Sequence, residues 1–346
     1  MADCKTQFNK FHNNIKLKEE NEILKEKRDI IIKKLEEKLP EQTDYEFSVF
    51  NQGSYAMHTG IKPLDDDFDI DVGLFFEMSK DDVDPVPAKK WILDALEGHT
   101  NDVKMKKPCV TVTYEAGYHV DVAVYAANNS DGKVYLAKGK PTSKAEDKFW
   151  DESNPKDLIK TIKEYSSDEN DRKQFRRVVR YLKRWKDNNF TSANGKPTGI
   201  ALTSCVYHWL DIQKETDLFD GKTTYKDLDA LINIVSNMIS KFVYEYVLVD
   251  GEYKYMPRLR VNLPVEPKPE LFEKMTSKQM KTFKEKLEEL LAFLEEAKGK
   301  TDPTEAAEIL QGQFGDDFPI PTKSSTGKKA MAAAVLTTSE SASEQD

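Results

Sequence analysis

Between Lys16 and Leu39 the apolar residues Leu17, Leu24, Ile31 and Leu35 recur close to one face amid Glu and Lys. That spacing predicts an amphipathic helix packed on a core. From Tyr45 the period changes. "YEFSVFNQGS" reads as a strand running into a Gly-Ser turn. "FDIDVGLFF" (Phe68 to Phe76) and "CVTVTYEAGYHVDVAVYAA" (Cys109 to Ala127) are rich in β-branched and aromatic residues and read as further strands, with Glu115 to Gly117 as a hairpin turn. After Asn154 the pattern becomes helical, with Asn154 as N-cap and Pro155 at the first helical position. Helices are expected near 155–166, 170–188, 198–213 and 226–245. Thr276 to Gln279 has the form of a capping box, opening a helix with Met280, Phe283, Leu287, Leu290 and Leu294 on one side. The fold class is therefore α+β, with a mixed-sheet domain and N-terminal helix over 1–153 and a helical lobe over 154–321. The Ser-, Thr-, Ala- and Gly-rich tail, 322–346, has too little apolar surface to offset its ordering entropy and is expected to be disordered. A short docking helix at "MAAAVL" is the minority reading of that tail.

Composition narrows the class. A chain of 346 residues, 38% hydrophobic and 33% charged, reads as a globular protein of two domains. No stretch approaches the ~20 apolar residues of a membrane span, and "MADCKTQFNK" has no signal-like apolar core. Cys4, Cys109 and Cys205 are too scattered for a disulfide framework or zinc site. A cytoplasmic location and no membrane partner are the expectations. A net charge of −9 argues against coating long nucleic acid, which requires neutralising many phosphates. It leaves room for a small, locally basic pocket.

Candidate chemistry begins with "DDDFDID", five acids within seven residues at the entrance of an apolar strand. Alternation places Asp67, Asp69 and Asp71 on one face and Phe68, Ile70 and Val72 on the other. Two carboxylates about 4 Å apart repel by ~4 kcal/mol at an effective dielectric near 20, so a cation or proton must relieve them unless the face simply points at water. Carboxylate oxygens are the ligands Mg²⁺ prefers.

Three other features bear on that choice. Gly53-Ser54 lies just upstream, a small turn able to present N–H groups and a hydroxyl to phosphate. Asp121 stands alone in "YHVDVAVY", where a carboxylate needs either a basic partner or a metal. "RKQFRRVVRYLKRWK", Arg172 to Lys186, carries eight basic residues in fifteen. Phe175, Val178, Val179, Leu182 and Trp185 form its apolar face, while Arg172, Arg176, Arg180 and Lys183 fall along another, as a solvated face or an anion site.

In combination, "QGSYAMHTGIKP", "DFDIDVGLFF", "YHVDVAVY", "FRRVVRYLKRWKD" and "GKPTGIALT" resemble the bacterial cGAS/DncV-like nucleotidyltransferases (CD-NTases), in one order from Phe11 to Pro269. The resemblance implies a polymerase-β-like nucleotidyltransferase core with a helical second lobe. It implies an enzyme that joins nucleoside triphosphates, ATP, GTP or others, into cyclic di- or trinucleotide second messengers, chiefly in antiphage (CBASS) operons with accessory proteins. By the same resemblance Gln52, Gly53 and Ser54 form the phosphate-binding turn, and Asp69, Asp71 and Asp121 are catalytic ligands of two Mg²⁺ ions, with Mn²⁺ as a substitute. Lys183 holds the donor triphosphate, assisted by the hydroxyl of Thr198. Asp67, at the strand entrance, supports the ligands. Tyr55, Arg258 and Asn262 are candidates for base selection. Two rival readings stand beside this one: a nucleotidyltransferase acting on a tRNA end, a protein or a small molecule, and a catalytically silent nucleotide sensor.

Overall fold

The structure is a computed structural model that describes residues 4–191 and 195–321. The expected disordered tail and its "MAAAVL" segment lie outside the described residues.

The chain starts with two helices rather than one. α1 (Lys5–Ile15) buries Phe8, Phe11 and Ile15, and α2 (Glu19–Lys38) follows after a break. The helix expected from Lys16 starts later because Lys16 is extended and forms a bridge with Ile61. Leu24, Ile31 and Leu35 of α2 pack on the sheet core, as their spacing predicts.

The sheet contains β1 (Phe47–Asn51), β2 (Phe68–Phe76), β3 (Asp102–Met105), β4 (Val110–Tyr114), β5 (Tyr118–Ala126), β6 (Tyr135–Lys138) and β7 (Phe149–Glu152). Its main order is β1-β2-β5-β4-β3, with β6 joining β5 to β7. Only β2 and β5 run parallel; the other pairs are antiparallel. β2 alternates as its sequence does: Phe68, Ile70, Val72, Leu74 and Phe76 face a core closed by α2 and by α4 (Pro85–Ala95). The opposite face carries Asp69, Asp71, Gly73 and Phe75. A single turn, α3 (Gly53–Ala56), connects β1 toward β2.

The second lobe holds α5 (Pro155–Lys163), α6 (Glu169–Asn189), α7 (Gly199–Trp209), α8 (Asp227–Ser240), α9 (Ser277–Gly299) and α10 (Pro303–Phe314). Asn154 caps α5, and the Thr276/Gln279 capping box opens α9, both as read from the sequence. α1 belongs to this lobe's core, with Phe11 stacked on Tyr181 of α6. The N-terminus therefore reaches one core through α1 and the other through α2.

The lobe is not wholly helical. β8 (Lys214–Thr216) and β9 (Thr223–Tyr225) form one hairpin. The helix expected over 226–245 ends at Ser240, and a longer hairpin follows, β10 (Val243–Val249) with β11 (Glu252–Arg258). "VYEYVLV" alternates β-branched and aromatic residues, and Asp250 and Gly251 both adopt positive φ, the conformation a two-residue hairpin turn needs. Those local preferences outweigh continuation of the helix.

Candidate active site

The site is built on the parallel pairing of β2 with β5. The register sets Asp69 beside His119 and Asp71 beside Asp121, so the carboxylates of Asp69, Asp71 and Asp121 project from one face of adjacent strands. They are electrically crowded. Burial, then Asp69 and Asp121, push the Asp71 carboxyl up to about 7. Burial and Asp121 likewise raise Asp69, while Lys183 opposes the shift in both. Asp69 is exposed at the surface and Asp71 is half-buried.

Hydrogen bonds sort the remaining acids. Asp121 Oδ1 accepts from the Thr111 hydroxyl, whose residue is its in-register partner on β4. Asp67 pairs with His119 Nε2, and His119 Nδ1 meets Thr113 Oγ1 at 3.1 Å. Asp67 is thereby tied at the strand entrance, apart from the other three. Among the described residues no group of three or more His, Cys, Asp or Glu side chains is already drawn together at metal-holding distances. The donor set nevertheless fits a hard divalent cation. It consists of oxygen ligands, and the repulsion that raises Asp69 and Asp71 is what a cation would remove.

Gly53 stands directly against this cluster. Its φ is +66°, and a Cβ there would lie 1.7 Å from Asp71 Oδ2. Both the left-handed backbone and the close approach exclude a side chain. Gln52 N donates to the Asp71 carbonyl at 3.1 Å, and the Gln52 side-chain oxygen accepts from Tyr125 at 2.8 Å. The turn is thus locked to both acidic strands. Behind it, Phe50, Phe75 and Tyr125 pack as an aromatic support.

Across the cleft, α6 presents Lys183. Its ammonium donates to the Thr59 carbonyl at 3.0 Å and to Thr59 Oγ1 at 3.3 Å. Burial, with Lys186 and Arg180 nearby, lowers its pKa to about 7. A cavity of about 530 Å³ joins Gln52, Gly53, Ser54, Asp71, Tyr125 and Lys183. That volume suits a nucleotide-sized ligand.

Residues 47–125, which span β1 to β5, match the family model described as "Cyclic GMP-AMP synthase DncV-like, nucleotidyltransferase domain". A cyclic GMP-AMP synthase of Escherichia albertii is 34% identical over 205 residues, 56% of this chain and 44% of that relative's length. Over this part of its length the chain is similar to the cGAS/DncV-like nucleotidyltransferases, and it spans less than half of the curated relative it matches. Solved structures share the fold at lower identity. Vibrio cholerae DncV, a cyclic AMP-GMP synthase, superposes with a TM-score of 0.65 at 18% identity, covering 90% of this chain and 96% of that one. The Bradyrhizobium diazoefficiens CD-NTase CdnG, solved with GTP, gives a TM-score of 0.64 at 17% identity, covering 90% and 95%.

Within this CD-NTase fold some expected contacts are placed differently. The Thr198 hydroxyl caps α7, accepting from Ala201 N at 3.2 Å, and keeps its proton to donate. Thr203, one turn further on, lines the cavity instead. Arg258 is tied to the Met275 and Phe272 carbonyls, and the Asn262 amide to the Lys268 carbonyl. Tyr55 faces a separate cavity behind the Gly-Ser turn. The basic row of α6 also divides. Arg180 holds the carbonyls of His58 and Gly60, and Arg184 that of Lys62, so this half secures the loop after α3. The sequence reading missed Thr111 and His119 as partners of Asp121 and Asp67. Their alternation on β4 and β5 was visible, but the strand register was not.

Proposed function

We propose that this chain condenses nucleoside triphosphates into a cyclic di- or trinucleotide second messenger, releasing pyrophosphate. The observation that carries the reading is the convergence of Asp69, Asp71 and Asp121 on one face, opposite Ser54 and Lys183, in a cGAS/DncV-like domain. ATP and GTP are the first substrates to test, because Vibrio cholerae DncV was solved with ATP and GTP and CdnG with GTP.

The reaction is attack of an acceptor ribose hydroxyl on the α-phosphorus of a donor triphosphate. A new P–O bond forms as the bond to pyrophosphate breaks. Gln52, Gly53 and Ser54 bind the donor phosphates, with the Ser54 hydroxyl donating to a phosphate oxygen. Lys183, protonated when an anion arrives, pairs with the negative charge that grows on the leaving pyrophosphate. Asp69 and Asp71, with Asp121, would hold the divalent cation, Mg²⁺ or Mn²⁺. When bound it supplies a lowered pKa for the ribose hydroxyl and neutralises the triphosphate. Asp121, steadied by Thr111, orients the acceptor side. Closing the ring requires the linear product to bind again with its ends exchanged. A cytoplasmic role in antiphage signalling, with accessory proteins from the same operon, completes the proposal. Among the described residues no helix is long and apolar enough to cross a membrane.

The test is incubation with the four triphosphates and Mg²⁺, followed by mass spectrometry. Cyclic products and pyrophosphate from triphosphates alone support the reading. Nucleotide transfer only on addition of a tRNA, protein or small-molecule acceptor would replace it, and binding without pyrophosphate release would make the chain a sensor.

A further inference from the structure

Asp121 differs from Asp69 and Asp71 in one respect. Its Oδ1 accepts from the Thr111 hydroxyl, and among the described residues it is the one carboxylate of the three that accepts from a side chain. Register sets this contact. β4 pairs antiparallel with β5, bringing Thr111 opposite Asp121 and Thr113 opposite His119. Alternation puts Cys109, Thr111 and Thr113 on the face that carries the acids. The next pair repeats the pattern, with Thr113 Oγ1 3.1 Å from His119 Nδ1.

Thr111 is firmly held. It is 2% exposed, so water has little access to its hydroxyl, and its β-branched side chain is stiff at χ1. In the ionised form that binds a cation, a carboxylate only accepts, so the hydroxyl gives its proton to Asp121. Cys109 Sγ lies 3.7 Å from Thr111 Oγ1, and with that proton already engaged the thiol is the donor. The hydrogen bonds therefore run one way, from thiol to hydroxyl to carboxylate. Asp121 Oδ1 is engaged, and Oδ2 is the oxygen left for a cation.

Hard divalent cations ask different things of such a carboxylate. Ca²⁺ gathers more oxygens in a flexible shell and readily takes both oxygens of one carboxylate, whereas the smaller Mg²⁺ demands a near-octahedral set. We propose that Thr111 is a positioning residue that sets the cation preference of the site, favouring Mg²⁺ over Ca²⁺ by leaving Asp121 one free oxygen. This rests on the reading above, in which Asp69, Asp71 and Asp121 hold the cation. Thr111 acts through Asp121 alone, as partners of metal-binding carboxylates do elsewhere.

The test follows Mn²⁺ bound to the full chain without nucleotide by electron paramagnetic resonance, then displaces it with Mg²⁺ or with Ca²⁺. Thr111→Val keeps the branched shape and removes the donor. It should weaken Mg²⁺ by roughly tenfold and leave Ca²⁺ within about threefold of wild type. Thr111→Ala, which lacks the donor without placing a methyl against the carboxylate, should show the same loss of preference. Thr111→Ser retains the hydroxyl and should keep the wild-type ratio. A merely structural role would weaken both ions alike in Thr111→Val and Thr111→Ala, and that result overturns the proposal. So does an unchanged ratio in both, or a Thr111→Ser variant that behaves like Thr111→Val. Wild type that binds no Mn²⁺, or Asp71→Asn that binds it equally well, removes the cation reading itself and this proposal with it. The readout is binding, so it does not depend on whether cyclic products are made.

Discussion

β2 and α6 each crowd like charges against the same cleft, and each deals with the crowding differently. On β2 burial and the repulsion of Asp69 and Asp121 drive Asp71 up to about 7. On α6 the C-terminal half of the basic row is satisfied by backbone carbonyls of residues 58–62, yet Lys183 is still driven down to about 7. The two side chains therefore approach neutrality from opposite directions. A fold organised only for stability would avoid both arrangements, whereas a site organised around a cation and a triphosphate requires both.

The largest expected effect breaks the acidic side. Asp69→Ala, Asp71→Ala or Asp121→Ala should each lower nucleotide incorporation by roughly 10³-fold or more while circular dichroism shows the fold retained. Should Asp67→Ala be inactive and Asp71→Ala active, the assignment of ligands along β2 shifts by two residues.

Next comes the wall between the charges. Gly53→Ala places a methyl into the Asp71 carboxylate and forces a left-handed φ on alanine. We expect activity to fall by roughly 10²-fold, with ~1–3 kcal/mol lost in denaturant unfolding.

A smaller effect isolates the raised pKa of Asp71. A raised pKa means that the folded, metal-free chain binds a proton the unfolded chain has released between pH ~4 and ~7. Its contribution to stability is full below the ordinary carboxylate range and is lost as pH rises through about 7. Lys183 has the opposite sign: its lowered pKa makes stability climb from about 7 toward the ordinary lysine range. Asp71→Asn should therefore raise the metal-free melting temperature at pH 8 by a few degrees, ~1 kcal/mol, and have little effect at pH 4. Mg²⁺ should stabilise the wild type at pH 8 more than Asp71→Asn.

The smallest effect tests the α7 terminus. Thr198→Ala removes a helix cap and should lower stability by ~1 kcal/mol, leaving KM for the donor triphosphate within threefold. A large rise in KM would return Thr198 to the phosphate site.

Much of this comparison was legible in the chain. Alternation alone put Asp69 and Asp71 on one face of β2, and the 3.6-residue period separated the apolar and basic sides of α6. The β10–β11 hairpin was missed because its alternating run directly follows a helix and was absorbed into it. The break between α1 and α2 was missed because Lys16 is extended only through its pairing with Ile61, far away in sequence. The role expected of Thr198 rested on its neighbourhood in the chain, and only the structure shows that its hydroxyl also accepts from the Ala201 amide.

By itself the sequence determined which residue types alternate, where helices are capped, and that acids enter an apolar strand, because these follow from backbone periods of two and 3.6 and from local hydrogen bonding. Only the tertiary structure decided that Asp121 stands beside Asp71, that Gly53 touches its carboxylate, and that most of the basic row of α6 is secured by backbone carbonyls. Those relations depend on strand register and on contacts between residues more than a hundred positions apart, and no local pattern encodes the electrostatic field that such contacts create.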